Sequence, residues 1–475
     1  MSILFFLLAY PLAHADSHYP PGFIWGAAYS AHQTEGVQGG GELSDWWDFE
    51  HPQTGTSPIR NADTADLAVN QWELYEIDDN QAVQLGLNSV RTSLAWEKIE
   101  PIYGVFSTKV IEHYRRRFQA MRAKGIKPMI ALHHFVHPKW FHPKGGWLSE
   151  ESPKWFLEYA HFVVTQLGDL CDLWIPFNEP MVLVLMGYLK AEIPPQLQSL
   201  DSAYEAAFQM ARAYRMVSAM IHEVQGPSPN GRGPDGKLRG VGLANSLHLY
   251  DPLDPQNQKD IEAADWVTQV NNWDFLRGII SDRLEFKLHP EIIFGKNFNR
   301  EFPKEDLQPW QMGDGLMDWI GVNYYSRYYI KYNPKSLLKV EWVMPTGPSG
   351  DNGWSIYPEG LERILRQTAA QFPQTPLVVT ENGLADGADS RRGKFIEAHL
   401  HSLDGAVFGS SLGNPLDLRG YYHWSLMDNF EWLYGYAYRF GLVEIQYNQN
   451  LKRVPRASAE IYKSEILKRN EYPFQ

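Results

Sequence analysis

Several features that define whole classes of protein are scarce in this chain. Its 475 residues include a single cysteine, Cys171, so neither an internal disulfide nor a cysteine-based zinc site can form. Basic residues number 43 against 56 acidic ones, and the net charge of −13 disfavours binding to the phosphates of nucleic acids. Beyond the first 20 residues no apolar run is long enough to span a bilayer. We therefore expect no nucleic-acid partner and no stable membrane anchor, and we expect Cys171 to be a small buried residue.

The amino terminus has the pattern of a secretory signal peptide, although it lacks the usual lysine or arginine. A short apolar run over residues 3–12 precedes Ala13-His14-Ala15, a small-x-small sequence of the kind that signal peptidases cleave. We interpret residues 1–15 as a candidate signal peptide, which predicts a secreted or periplasmic protein. The alternative is a cytoplasmic protein with an apolar tail.

From residue 20 onward, short apolar runs alternate with segments of helical periodicity. The runs do not alternate strictly between apolar and polar residues, which is typical of parallel strands buried on both faces. They cover residues 23–28, 89–96, 128–132, 173–177, 241–244, 319–325, 377–380 and 420–426. The helical segments between them include residues 72–85, 110–124, 153–167, 203–224 and 358–372. We expect Ser152 to cap the third of these helices, with Pro153 as its first helical residue.

Eight strands that alternate with helices predict an α/β fold, a single (β/α)8 TIM barrel with extended βα loops over residues 16–475. The alternative is an open doubly wound sheet, which favours a glycine-rich phosphate-binding turn after the first strand. Gly39-Gly40-Gly41 follows a strand, but no Gly-x-Gly-x-x-Gly sequence leads into a helix. The sequence therefore favours the barrel.

A glutamate stands directly behind each of two apolar runs. Glu179 follows the fourth run and Glu381 follows the seventh, and the carboxyl ends of barrel strands are where active sites form. Burying a charge costs several kcal/mol unless partners compensate, so a fold has little structural reason to do so twice. The alternative is a buried ion pair, for which Arg91 in the second run is a candidate partner.

Two carboxyl groups that face one pocket match the chemistry of glycoside hydrolysis. One of them protonates the leaving oxygen, and the other attacks the anomeric carbon or activates a water molecule to do so. Aromatic residues make up 14% of the chain, and their flat faces with polar edges suit sugar rings. Spacing alone does not say which glutamate has which role.

A set of ordered motifs resembles the family 1 glycoside hydrolases, the β-glucosidase family. The segment Trp174-Ile175-Pro176-Phe177-Asn178-Glu179-Pro180 resembles that family's acid/base segment, and Val379-Thr380-Glu381-Asn382-Gly383 resembles its nucleophile segment. The resemblance extends from about residue 20 to the carboxyl terminus, and its motifs include Gln33-Thr34-Glu35-Gly36, Asn323-Tyr324-Tyr325 and Asn429-Phe430-Glu431-Trp432. It implies a retaining mechanism, a β-linked substrate and the barrel fold.

The resemblance also implies roles for individual residues. Glu381 corresponds to the nucleophile and Glu179 to the acid/base, for which we expect a raised pKa. Arg91 and Tyr325 correspond to residues that keep the nucleophile ionised and aimed. Asn178 corresponds to a residue that binds the sugar's 2-hydroxyl.

Other positions match the family's sugar-binding residues. Gln33, His134, Glu431 and Trp432 correspond to residues that bind the remaining hydroxyls, Trp424 to a ring that stacks on the sugar, Phe440 to a pocket wall and Trp354 to an aromatic on the aglycone side. Family members that take 6-phosphorylated sugars usually have serine at the position of Glu431. The glutamate therefore predicts an unphosphorylated sugar. Two features depart from the family's common pattern: Phe135, where tryptophan is usual, and residues 406–417.

We therefore expect a retaining β-glycosidase, with β-glucosidase favoured over galactosidase, fucosidase or broad specificity. Its partner is a small β-glycoside or oligosaccharide, and no cofactor is expected. His133, His134, His137 and His142 lie close in sequence, but their spacing is not that of a common zinc motif, so no metal is expected either. The alternatives are a transglycosylase and a catalytically inactive sugar-binding protein; the oligomeric state is open.

Overall fold

The fold is taken from a computed structural model, and the description covers residues 19–471 except 227–230, 232, 234–235, 288–297 and 308–313. The candidate signal peptide, residues 1–15, lies outside the described residues. None of the helices in the described part of the chain combines the length and the apolar character that crossing a bilayer requires.

Eight parallel strands close into a barrel, as the sequence predicts, and the open doubly wound sheet is wrong. The barrel order is β1-β2-β3-β4-β5-β9-β12-β13, and β13 pairs with β1 to close it. The strands are β1 Ile24–Ala28, β2 Ser89–Ser93, β3 Lys127–His133, β4 Leu173–Phe177, β5 Gly240–Ser246, β9 Trp319–Asn323, β12 Leu377–Asn382 and β13 Leu418–Trp424. All eight coincide with the apolar runs, because a strand between a filled barrel and an outer layer of helices is buried on both faces.

Helices lie between the barrel strands. They are α1 Ala31–Glu35, α2 Asp45–Glu50, α3 Gln71–Gln84, α4 Trp96–Ile99, α5 Thr108–Ala123, α6 Ser152–Leu167, α7 Pro180–Leu183, α8 Leu200–Gln225, α9 Gln258–Thr268, α10 Asp274–Ile280, α11 Glu359–Gln371, α12 Arg392–Phe408 and α13 Ala457–Glu471. The prediction for the start of α6 was one residue late: Ser152 is already helical, and its hydroxyl donates to the Ser149 carbonyl instead of capping the helix. Cys171 is buried, as expected.

Shorter elements lie outside the barrel sheet. The remaining strands are β6 Leu249–Pro252, β7 Arg283–Glu285, β8 Asn299–Glu301, β10 Arg327–Tyr332, β11 Val340–Val343, β14 Val443–Gln446 and β15 Lys452–Pro455. Two π-helical segments are Val184–Leu189 and Gln269–Trp273, and 3-10 turns cover Gly41–Leu43, Arg60–Ala62, His142–Lys144, Gly146–Leu148, Lys304–Asp306, Asp314–Leu316 and Trp432–Tyr434. Several of these elements lie in the segments that follow barrel strands, and those segments carry most of the site described below.

A buried charge network fixes the segment behind the first strand. Glu35, at the end of α1, accepts from Lys98 Nζ at 3.0 Å and from Arg117 Nη1 at 2.9 Å, and all three side chains are at most 2% exposed. Arg117 comes from α5 and also donates to the Tyr29 hydroxyl and to Gln71 Oε1. These contacts tie α1 to α4 and α5.

Replacing Arg117 by methionine is expected to lower the free energy of unfolding by about 3–5 kcal/mol, because it leaves several buried polar groups without their donor. Arg115→Met on the same helix is the matched control: its bridge to Asp169 is exposed, and we expect a loss of about 0–1 kcal/mol. Urea unfolding of both variants measures the difference. Equal losses of unfolding free energy in the two variants would show that the buried contacts of Arg117 stabilise the protein no more than the exposed bridge of Arg115.

Candidate active site

The two glutamates lie where two barrel strands end. Glu381 belongs to β12, and its side chain is 6% exposed. Glu179 follows β4 after one intervening residue, Asn178; its backbone is left-handed at φ 46°, and its N–H donates to the Ala244 carbonyl at 2.8 Å. That backbone hydrogen bond, together with an isolated parallel β-bridge between Asn178 and Ala244, fixes the chain at the point where it leaves the sheet.

Glu381 is held by donors on both carboxylate oxygens. Arg91 Nη1 donates to Oε1 at 2.5 Å, and the Tyr325 hydroxyl donates to Oε2 at 2.5 Å. Burial, followed by the charge on Glu381, raises the pKa of Tyr325 well above its usual value, so the phenol stays protonated and remains a donor. The ion pair considered from the sequence therefore exists, but it involves Glu381 and not Glu179.

Glu179 has a different environment. Its Oε1 accepts from the Asn323 amide at 2.8 Å, a neutral donor. Burial, and then the negative charge of Glu381, raise the pKa of Glu179 to about 8. One carboxyl group thus accepts from a guanidinium and a phenol, while burial and the charge of its neighbour keep the other protonated near neutral pH.

Asn178 connects the two glutamates to His134. Its Oδ1 accepts from Arg91 Nη2 and from Asn323 Nδ2, and its Nδ2 donates to His134 Nε2 at 3.2 Å. Burial and then the charge of Arg91 lower the pKa of His134 well below its usual value, so the ring is neutral and its Nε2 can accept. His134 stands directly after β3 and is buried.

Gln33 and Glu431 meet on one side of the barrel mouth. Gln33 Nε2 donates to the Phe430 carbonyl at 2.8 Å and to Asn429 Oδ1 at 3.0 Å, and it lies 3.5 Å from Glu431 Oε2. Burial and the charges of Glu381 and then Glu179 raise the pKa of Glu431 to about 8. Three carboxyl groups therefore influence one another within this site.

Aromatic rings line the same region. Trp424 ends β13, and its ring lies nearly parallel to that of His134 with centroids 6.1 Å apart; the Trp432 ring is also nearly parallel to that of His134, at 5.9 Å. Phe135, the departure from the common pattern, packs edge-on against Trp432 at 5.3 Å. Rings at these separations form the offset and edge-on arrangements that aromatic pairs prefer.

A second group of rings near the glutamates contains Trp354 and Phe440. The Trp354 ring is 5.2 Å from that of Tyr325 and 6.3 Å from that of Phe440. Phe440 is buried, whereas Trp354 is half-buried. Each sequence-predicted site residue therefore lies in the same connected set of contacts around the two glutamates.

Asn323 is the site residue that the sequence reasoning missed. It ends β9, accepts from Thr380 Oγ1 at 2.7 Å and donates to both Asn178 and Glu179. The available signal was its place at a strand end, immediately before Tyr324-Tyr325.

Two of the neighbouring histidines, His137 and His142, form a separate cluster around Asp45. Asp45 Oδ2 is 2.8 Å from His137 Nδ1 and 2.9 Å from His142 Nε2, near enough to be considered as a metal site. However, Trp147 donates to His137 Nε2 at 2.8 Å, which makes that nitrogen an acceptor and leaves the proton on Nδ1. The arrangement therefore fits a hydrogen-bonded network, and His134 points away from it towards Asn178.

A parallel barrel that presents two carboxyl groups in contrasting environments, among rings and amides, defines a glycoside hydrolase. Residues 15–472 match the model of glycosyl hydrolase family 1, so the chain belongs to that family.

Relatives and solved structures agree with this assignment. Beta-glucosidase A of Thermotoga maritima is 30% identical over 467 residues, covering 95% of this chain and 98% of the relative. A beta-galactosidase of Pyrococcus woesei is 27% identical over 525 residues, covering 95% and 97%. The solved family 1 β-glucosidase from T. maritima has a TM-score of 0.82 at 28% identity, covering 96% of this chain and all of that one; its complex with glucoimidazole gives 0.81 at 29%, with the same coverage.

Proposed function

We propose that this protein is a retaining β-glucosidase that removes terminal, unphosphorylated β-linked sugars through a covalent glycosyl-enzyme. The observation that carries the proposal is the contrast between Glu381, which accepts from Arg91 and Tyr325, and Glu179, which accepts from a neutral amide and has a raised pKa. An acid and a nucleophile need these opposite protonation states in the free enzyme.

In the first step Glu381 attacks the anomeric carbon and the bond to the leaving oxygen breaks. Glu179 transfers its proton to that oxygen, so the aglycone leaves as a neutral alcohol and Glu179 becomes a carboxylate. Arg91 and Tyr325 keep the attacking carboxylate oriented by their hydrogen bonds. Asn178 lies beside both glutamates, where it can bind the neighbouring 2-hydroxyl.

In the second step water replaces the enzyme on the sugar. Formation of the ester removes the negative charge of Glu381, which is one of the two main causes that raise the pKa of Glu179. Glu179 therefore ionises more readily and accepts a proton from the attacking water, and Glu381 leaves as the carboxylate. Two displacements at the same carbon restore the original configuration.

The substrate assignment depends on the residues around Glu431. The polar groups here suit the hydroxyls of an uncharged sugar. They are the amide of Gln33, the carboxyl group of Glu431, the indole of Trp432 and the imidazole of His134. A phosphate dianion would add its charge to a site that already holds three carboxyl groups. The names of the relatives favour glucose, while a galactosidase among them makes galactose the second candidate.

A panel of 4-nitrophenyl glycosides tests this proposal. We expect kcat/KM to be highest for the β-glucoside, lower for the β-galactoside, and at least about 100-fold lower for the 6-phospho-β-glucoside than for the β-glucoside. Proton NMR of the first-formed sugar should show the β-anomer. An α-anomer would overturn retention, and preference for the phosphorylated substrate would overturn the role given to Glu431.

The pH dependence of kcat/KM should show an alkaline limb. Because Glu179 must carry a proton to act as the acid, we expect activity to fall about tenfold per pH unit above its pKa of about 8. Glu431 has a similarly raised pKa, so Glu431→Gln separates the two groups: the limb should persist in that variant. Loss of the limb on this replacement would assign it to Glu431 instead.

A further inference from the structure

Four rings form a chain of nearly parallel neighbours that runs from the site to His32. The rings are, in order, Trp424, His134, Trp432 and His32, and neighbouring centroids are 6.1, 5.9 and 5.7 Å apart. The angles between neighbouring planes are 23°, 17° and 9°. The first three rings belong to the proposed sugar site, whereas the mechanism above gives His32 no role.

His32 is fixed from behind by a buried carboxylate. Its Nε2 lies 2.7 Å from Glu50 Oε1, and the two side chains are 9% and 1% exposed. The other oxygen of Glu50 accepts from the Ala65 backbone N–H at 2.8 Å, so Glu50 is itself immobilised. Its pairing with Glu50 outweighs burial and raises the pKa of His32, which favours the charged ring that Glu50 holds.

Trp432, by contrast, depends on its neighbours for orientation. Its backbone is left-handed at φ 49°, and its indole N–H donates to no other described residue. Trp46 and Phe135 contact it at steep angles with centroids 4.6 and 5.3 Å away, but only His32 and His134 lie parallel to its faces. Without a hydrogen bond, these four ring contacts, including that of His32, fix the direction in which the indole N–H points.

We propose that His32, anchored by Glu50, is a positioning residue that orients Trp432 for a hydroxyl of the bound sugar. The inference rests on the proposed function, because it takes Trp432 to be a sugar-binding residue. A ring that is packed against fixed neighbours loses little freedom when the sugar binds, so its hydrogen bond to the hydroxyl is formed at low entropic cost. The side chain of His32 pairs with Glu50 and lies against the Trp432 ring, and it acts through Trp432.

The test pairs a variant with substrates that lack single hydroxyls. In His32→Gln the amide can still bond to Glu50, but the stacked ring is gone. We expect kcat/KM to fall about fivefold on the 4-nitrophenyl β-glucoside and on its 2-deoxy analogue. On the 3-deoxy or the 4-deoxy analogue, whichever lacks the hydroxyl that Trp432 binds, the variant and the parent should differ by less than about twofold.

His113→Gln is the matched control. His113 also stacks on a tryptophan, Trp72, with ring centroids 3.9 Å apart, and its described ring contacts do not include Trp432. We expect its kinetics to match the parent on all four substrates. The double variant His32→Phe/Glu50→Gln restores a flat ring and leaves no unpaired charge, so it should recover most of the lost activity. It also tests the proposal if His32→Gln folds poorly.

Two results would overturn the inference. One is a loss that is equal on every substrate, and the other is parental activity in His32→Gln. Failure of the proposed function is recognised separately, because the parent protein itself would then not hydrolyse the β-glucoside.

Discussion

Glu381→Gln is expected to lower kcat/KM for an aryl β-glucoside by about 10⁴- to 10⁶-fold, the range found when a nucleophile is removed. The amide has the shape of the carboxylate and can still accept from Arg91 or Tyr325, so the fold should be kept. What it lacks is the charged oxygen that attacks the anomeric carbon. The same change removes one cause of the raised pKa of Glu179, so titration of Glu179 in this variant should give a value below about 8.

Glu100→Gln is the matched control for this experiment. Glu100 is fully buried, accepts from Trp96 Nε1 and the Gly104 N–H, and has a pKa raised to about 7, mainly by burial. An amide at this position resembles the protonated acid, and we expect activity within about threefold of the parent.

A 2-deoxy-2-fluoro-β-glucoside should label the peptide that contains Glu381, as mass spectrometry would show. Labelling of another carboxylate would contradict the assignment.

The barrel is readable from the sequence because each of its strands is a short apolar run. A position such as Trp174 in β4, or Val322 in β9, is covered on both sides, and burial leaves a compositional trace that needs no knowledge of the partner strand. The start of α6 was misplaced by one residue, since Ser152 uses its hydroxyl on Ser149 and therefore does not cap the helix. Side-chain choices of this kind depend on local geometry that the periodicity does not contain.

The active site, too, could be predicted from the sequence only in part. The two glutamates stand out because each ends an apolar strand, but their opposite environments arise from residues far away in the chain. Arg91 is 290 residues from Glu381, and Asn323 is 144 residues from Glu179. Motif resemblance pointed to Arg91, whereas the hydrogen bond from Asn323 to Glu179 and the pairing of His32 with Glu50 appear only when distant strands and loops are brought together.

Glu179→Ala should have an effect that depends on the leaving group. An alkyl glucoside, whose leaving alkoxide is strongly basic, needs the proton that Glu179 supplies, and we expect its first step to slow by about 10²- to 10⁴-fold. A 2,4-dinitrophenyl glucoside leaves as a stable anion without that proton, so its first step should be almost unchanged and the glycosyl-enzyme should accumulate. The alkaline limb of the pH profile should disappear for this substrate, because the group that titrates at about 8 has been removed.

Azide separates the acid role from the base role of the same residue. The alanine leaves space beside the anomeric carbon, and azide needs no base, so it should restore turnover of the dinitrophenyl substrate and yield the β-glucosyl azide. Glu381→Ala with azide provides the opposite control, since attack from the other face would give the α-azide. If Glu179→Ala slows both leaving groups equally, or yields the α-azide, Glu179 is not the acid/base. The two products together therefore assign each carboxyl group to one face of the sugar ring.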